Sequence, residues 1–140
     1  MKKMFASAAT VIMLIAAILT TSCSTAKSVN SSFAKNGYTM TALTPQQQYE
    51  VAPIMNAYPR FNHNAMGYLV TGNAVTFVYA VDQTVWDAYS ASLEAAGFSN
   101  MGTGFVKVDK TLGVTYNISS KFTTIYKQTY LLVTFTHSTF

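Results

Sequence analysis

The sequence predicts an α+β domain. The expected architecture is a two-layer sandwich with two helices on one face of a mainly antiparallel sheet, in ferredoxin-like βαββαβ order with an added C-terminal hairpin. Three observations carry this expectation. Short runs rich in β-branched and aromatic residues recur along the chain. Two segments open with helix-capping residues. Turn residues such as Gly72-Asn73 and Gly113 separate these runs at short intervals.

Residues 38–42 (YTMTA) alternate apolar and polar side chains, the pattern of a half-buried strand. A helix starts next. Thr44 caps it, Pro45 suits its first position, and Gln47 completes a capping box. Pro53 lacks a backbone donor and crowds the preceding turn, so this helix breaks near Ala52, and Pro59 closes the segment. Residues 68–71 and 74–81 flank Gly72-Asn73, and glycine in the first loop position suits a type II′ hairpin turn. The second arm is apolar on both faces, which places it inside the sheet.

Residues 84–98 (TVWDAYSASLEAAGF) carry the clearest helix signal. Thr84 and Asp87 form an N-terminal box, with the carboxylate at the positive end of the helix dipole. Trp86, Tyr89, Leu93 and Ala96 fall on one stripe at helical spacing. Gly97 suits the left-handed position after the helix, and Phe98 then meets Leu93 in a Schellman end. Strands follow at 105–109 and 114–118, joined by residues 110–113. A last strand at 130–137 puts Leu131, Val133 and Phe135 on one face. Segment 119–129 reads equally as strand or loop. Without the strand at 38–42 the order becomes α-β-β-α-β-β-β, still α+β.

The N-terminus is of another kind. Lys2 and Lys3 precede an apolar stretch from Ala8 to Leu19, interrupted by Thr10, and Thr20, Thr21 and Ser22 follow. A positive start, a short apolar run and a small-residue exit make a secretory signal peptide at 1–22. The apolar run falls short of the 18 or so residues that a spanning helix needs. Residues 23–36 are small and polar and read as a flexible tether, leaving 37–140 as a single domain. The formal charge of +4 becomes +2 without Lys2 and Lys3, seven basic residues against five acidic ones. That balance is too weak to imply a polyanionic partner.

Cys23 is the only cysteine of the chain. One cysteine makes no intramolecular disulfide. With two histidines it is also short of the four ligands of a structural zinc site. A tether offers neither the base nor the shielded pocket of a nucleophilic thiol. The stretch Leu19-Thr20-Thr21-Ser22-Cys23 resembles a bacterial lipoprotein signal, in its looser form similar to those of the Bacteroidota. Thr20 stands where the usual pattern has leucine. The resemblance covers about the first 25 residues. It implies that Cys23 is lipidated and that the chain sits on a Gram-negative envelope membrane, in the outer membrane facing the periplasm or the surface. Soluble secretion after cleavage near Ala26 is the alternative.

Catalytic signatures are lacking. Glu50, Asp82, Asp87, Glu94 and Asp109 are the five carboxylates, and no spacing pairs two of them as acid and base across a cleft. No nucleophile elbow, zinc-protease, P-loop or dinucleotide motif occurs. No cofactor or metal is expected. A βαββαβ order also occurs in RNA-recognition domains, but their basic-glycine-aromatic signature is missing, so no nucleic-acid partner is expected. His63 lies in a polar loop beside Arg60, the one arginine, and loops carry sites. A wet sheet face carrying Tyr116, Tyr126 and Tyr130 would make a binding surface; the alternative is that the three are simply strand-favouring residues. The expected function is a non-enzymatic envelope lipoprotein. Its small domain binds a protein, peptide or glycan, or associates with itself through an exposed strand edge. The alternative is a small-molecule carrier or hydrolase using His63 with Arg60.

Overall fold

A computed structural model describes residues 29–140. The expected signal peptide and Cys23 lie outside the described residues. Residues 29–35 are helical, a difference from the tether expected at 23–36, of which 23–28 lie outside the described residues. Asn36 closes this helix. Its side-chain amide donates to the Ser32 carbonyl at 2.9 Å, and its backbone N–H donates to the Phe33 carbonyl at 2.9 Å. Residues 37–140 form a separate compact unit.

That unit is α+β, built on a six-stranded antiparallel sheet. Helix α1 (Pro45–Val51) carries the capping box read from sequence. The Gln47 N–H donates to Thr44 Oγ1 at 3.2 Å, and the Thr44 N–H donates to Gln47 Oε1 at 2.9 Å. The helix stops at Ala52, and Pro53 opens a 3₁₀ helix, Pro53–Ala57. Strands β1 (Gly67–Thr71) and β2 (Ala74–Tyr79) make the hairpin around Gly72-Asn73, with Gly72 at φ +55° as a type II′ turn requires. Helix α2 spans Gln83–Ala95. Strands β3 (Ser99–Asn100), β4 (Gly104–Asp109), β5 (Val114–Ile125) and β6 (Gln128–Thr139) follow as a meander, each pairing with the next. β6 then docks beside β2, giving the order β1-β2-β6-β5-β4-β3.

Two expectations need correction, and one open reading is decided. Residues 38–42 are not a strand. Its backbone meets the sheet through isolated bridges, Thr39 to Tyr68 and Leu43 to Ala65. Five alternating residues met a partner at one position, so the ferredoxin-like order loses its first strand. α2 begins two residues earlier than expected. Asp82, already extended, accepts the Val85 N–H at 3.2 Å, while Asp87 accepts a bond from the Gln83 amide at 2.8 Å. Aspartate outranks threonine as an N-cap, which decides the start. The ambiguous segment 119–129 is strand at both ends, closed by Tyr126-Lys127.

The C-terminal end of α2 matches its signal. Gly97 has φ +96°, the Phe98 N–H donates to the Leu93 carbonyl at 3.0 Å, and the Gly97 N–H donates to that of Glu94 at 3.0 Å. Lys107 adds its ammonium to the Ala96 carbonyl at 2.9 Å, a cation at the negative end of the helix. The stripe of α2, Trp86, Tyr89 and Leu93, is buried. It joins one core cluster with Val75, Phe77 and Tyr79 of β2, Leu131, Val133 and Phe135 of β6, Ile118 of β5 and Phe105 of β4. These strand residues share one sheet face through the registers Phe77–Val133, Phe135–Ile118 and Ile118–Phe105. Along β5 the opposite face carries Thr115, Asn117, Ser119, Lys121 and Thr123, a polar series.

The Tyr126-Lys127 turn is strained. Both residues have positive φ, 50° and 64°, in the two-residue loop geometry that favours Asn-Gly. Each side chain there costs about 1 kcal/mol. Replacing the pair by Asn-Gly is expected to stabilise the domain by about 1–2 kcal/mol, which raises Tm by several degrees in a thermal melt. An unchanged Tm would count against this turn.

Candidate functional site

The loop bearing Arg60 and His63 is fixed from beneath by one side chain. Gln48 of α1 is fully buried. Its amide donates to the His63 carbonyl at 2.7 Å and to the Leu43 carbonyl at 3.2 Å, and its Oε1 accepts the Tyr79 hydroxyl at 2.7 Å. Phe61 is buried between Tyr79 and Tyr89, at ring-centroid distances of 4.6 and 4.7 Å. The Tyr89 hydroxyl donates to the Pro59 carbonyl at 2.8 Å. Burial holds the Tyr79 and Tyr89 phenols well above the ordinary tyrosine range, and neighbouring tyrosines add to the effect.

On this base, Arg60 and His63 line a common cleft of about 350 Å³ with Thr84, Tyr89 and Ser92. The Arg60 guanidinium lies 4.7 Å from the centre of the Tyr49 ring and donates to Gln46 Oε1 at 3.3 Å. The His63 ring leans on Phe61 at 4.8 Å. The structure thus brings together the two residues that the sequence singles out. The lining supplies no carboxylate to orient the imidazole, and the Ser92 hydroxyl donates back to the Ala88 carbonyl at 3.4 Å. An activated nucleophile needs a base held in turn by a third group, and none lines this cleft.

The three tyrosines are not on one face, and the shared-surface expectation is corrected. Strand alternation decides it: residue 116 pairs with 137, and residue 130 with 123, which puts the two on opposite faces. Tyr116 lies on the core side, edge-on to Tyr58 at 5.9 Å. Tyr130 is buried on the other side, and Tyr126 stands at the turn, 63% exposed.

A second cleft, of about 560 Å³, runs between α2 and the β3–β4 connection. Trp86, Asp87, Ser90 and Glu94 form its helical wall, and Asn100 and Thr103 face them. Asp87 and Glu94 are seven residues apart, two turns along one face, about 10 Å along the axis. No lysine or arginine lines this cleft. Gly104 keeps the floor close-set: a Cβ there would meet the Ile118 carbonyl at 2.5 Å. Sequence reasoning treated Asp87 and Glu94 singly. Their seven-residue spacing was the available signal.

Beyond these clefts, β5 and β6 outrun their neighbours. β4 last pairs at Gly104–Ser119 and β2 at Tyr79–Leu131, so residues 123–125 and 128–130 form a two-stranded arm ending in Tyr126-Lys127, and β5 is open on its β4 side from 120 to 125. Among the described residues, no three His, Cys, Asp or Glu side chains gather as a metal site, and no helix is long and apolar enough to cross a membrane. The chain matches no protein-family model, no curated protein and no solved structure.

Proposed function

We propose that the mature chain is a lipid-anchored, non-catalytic binding protein of the cell envelope, with Cys23 as its anchor and the α2–β4 cleft as its ligand site. The cleft carries the reading. Its volume of about 560 Å³ lies in the range of ligand pockets. Its wall combines an indole with carboxylate, amide and hydroxyl groups, the mixture that grips a hydroxyl-rich ligand. Carboxylates accept hydroxyl protons as strong charge-assisted hydrogen bonds, and the largely buried Trp86 indole backs the wall as an apolar surface. A short glycan is the ligand class that uses all of these. The Arg60–His63 cleft favours a second reading, carriage of a small anionic molecule, because a guanidinium lines it and no carboxylate does.

Trp86 is the chain's only tryptophan, so its fluorescence reports this cleft directly. Titration with envelope oligosaccharides is expected to shift the emission saturably. Asp87→Ala or Glu94→Ala should weaken binding about tenfold, one charged hydrogen bond's worth. Titration with small carboxylates and phosphates covers the second reading, with Arg60→Ala as its control. Silence toward sugars, or equal affinity in both acidic-residue variants, would sink the glycan reading. In the same cells, Cys23→Ser should move the protein from the membrane fraction to the soluble one.

A further inference from the structure

Sheet edges expose unpaired N–H and C=O groups that template further strands, and folded proteins usually blunt them. Two of the edges here are blunted. β1 is capped by residues 39–43, where the Thr39 N–H donates to the Tyr68 carbonyl at 2.8 Å and the Tyr68 N–H donates back at 3.0 Å. β3 is only two residues long. The third edge is the open side of β5 from 120 to 125, which is neither capped nor short and whose one charged side chain is Lys121. Residues 120–125 hold no proline, their register with β6 runs unbroken, and among the described residues no strand lies along their other side.

The turn fixes which groups are free. A two-residue loop makes Ile125 and Gln128 a hydrogen-bonded pair, so the odd residues of β5 bond to β6 and the even ones face away. The free donors and acceptors of this edge therefore belong to Ser120, Phe122 and Thr124. We propose that this edge pairs with the same edge of a second copy, β5 antiparallel to β5, about a two-fold axis at Thr123.

Two limits set that register. β4 occupies the edge up to Ser119, so the pairing must fit within 120–125. Antiparallel pairing must also oppose even residues to even ones. Centring on Thr123 meets both limits. Centring on Phe122 would set Ile125 of the second copy opposite Ser119, where β4 already pairs, and would bring the two Lys121 side chains within two residues of each other. It sets Phe122 against Thr124 of the second copy in hydrogen-bonded pairs, Thr123 against its own mate, and Lys121 against Ile125. The chemistry is self-complementary. Threonine pairs well across strands, and the Lys121 stem covers an isoleucine. The two Lys121 side chains stand four residues apart along the pair, about 14 Å, beyond the screening length at physiological salt. Five residues a side make a small contact of the weak, exchanging kind.

Disulfide trapping tests this register in the full chain carrying Cys23→Ser, so that one new thiol is present at a time. In a non-hydrogen-bonded antiparallel pair the Cα atoms lie about 4.5 Å apart, within disulfide reach. Thr123→Cys is therefore expected to give a cross-linked dimer under mild oxidation at least tenfold faster than Thr124→Cys, whose mate is displaced by two residues. Equal rates, or no dimer from Thr123→Cys while the chain stays folded by circular dichroism, would overturn the proposal. Amide exchange in the unsubstituted chain is a second measure. The Phe122 and Thr124 N–H groups should slow as protein concentration rises, and rates independent of concentration would also overturn it.

Discussion

Above about pH 10 the domain should lose stability steeply, because three phenols that are neutral in the fold ionise once the chain unfolds. Burial raises Tyr58, Tyr79 and Tyr89, each above the ordinary range. Their hydroxyls are committed. Tyr58 lies 3.0 Å from the Asn117 carbonyl and 2.8 Å from that of Thr136, Tyr79 donates to Gln48, and Tyr89 donates to Pro59. The sign follows from the raised values. Below the unfolded value near 10, both states hold the protons and the contribution is complete. As pH rises past it, the unfolded chain releases three protons that the native state keeps. Stability then falls by about 1.4 kcal/mol per pH unit per phenol, about 4 for all three. Chemical denaturation at stepped pH measures the slope. Tyr89→Phe should reduce it by about a third, at the cost of one hydrogen bond. A stability profile flat from pH 10 to 12, or an unchanged slope in the phenylalanine variant, would contradict the account.

Those tyrosines also mark where sequence reasoning stops. Local signals were legible because their physics is local. Thr44 with Gln47, the break before Pro53, Gly72 in its turn, and Gly97 with Phe98 and Leu93 each involve residues within a few positions, and each is found in the structure. The Tyr126-Lys127 turn was illegible because nothing in that pair favours positive φ; the long strands on either side impose it. The segment 38–42 misled for the opposite reason: it had a strand's alternation and no continuous partner. Strand order depends on β6 docking beside β2, a contact between residues more than fifty apart that no periodicity encodes. The candidate site was half legible. His63 and Arg60 do share a cleft, as neighbours in one loop must. That Asp87 and Glu94 face Asn100 and Thr103 depends on where α2 lies against the β3–β4 connection. The tyrosines at 116 and 130 needed the register of β5 with β6 before their faces could be told apart.

Replacing Gln48 by leucine is expected to cost about 3–5 kcal/mol, the largest single-residue effect short of emptying the core. Sequence gave no hint of it, since glutamine in a short helix normally faces water. Here it is sealed from solvent and joins three segments distant in the chain: the entry to α1 at Leu43, the loop at His63 and strand β2 at Tyr79. Leucine matches the volume but leaves the His63 carbonyl and the Tyr79 hydroxyl without partners, each at about 1–3 kcal/mol, while the Leu43 carbonyl keeps the Ala65 N–H at 2.9 Å. A double-mutant cycle separates this from simple mispacking. Adding Tyr79→Phe removes the orphaned hydroxyl, so the double variant should be less damaged than the two single losses added together, by about 1 kcal/mol or more. Strict additivity would mean that Tyr79 and Gln48 are not coupled. Gln48→Glu gives a second test. The buried carboxyl would titrate above its unfolded value near 4.3, because only its protonated form can donate to a carbonyl. Its contribution is complete below that value and is lost as pH rises through the raised one, so this variant should be least impaired in acid and most impaired at neutral pH. Because the same amide holds the His63 carbonyl, loss of Gln48 should also loosen the 59–65 loop, with faster amide exchange at His63 and Ala65 than in Tyr89→Phe. Unfolding that spared this loop would place the anchor elsewhere.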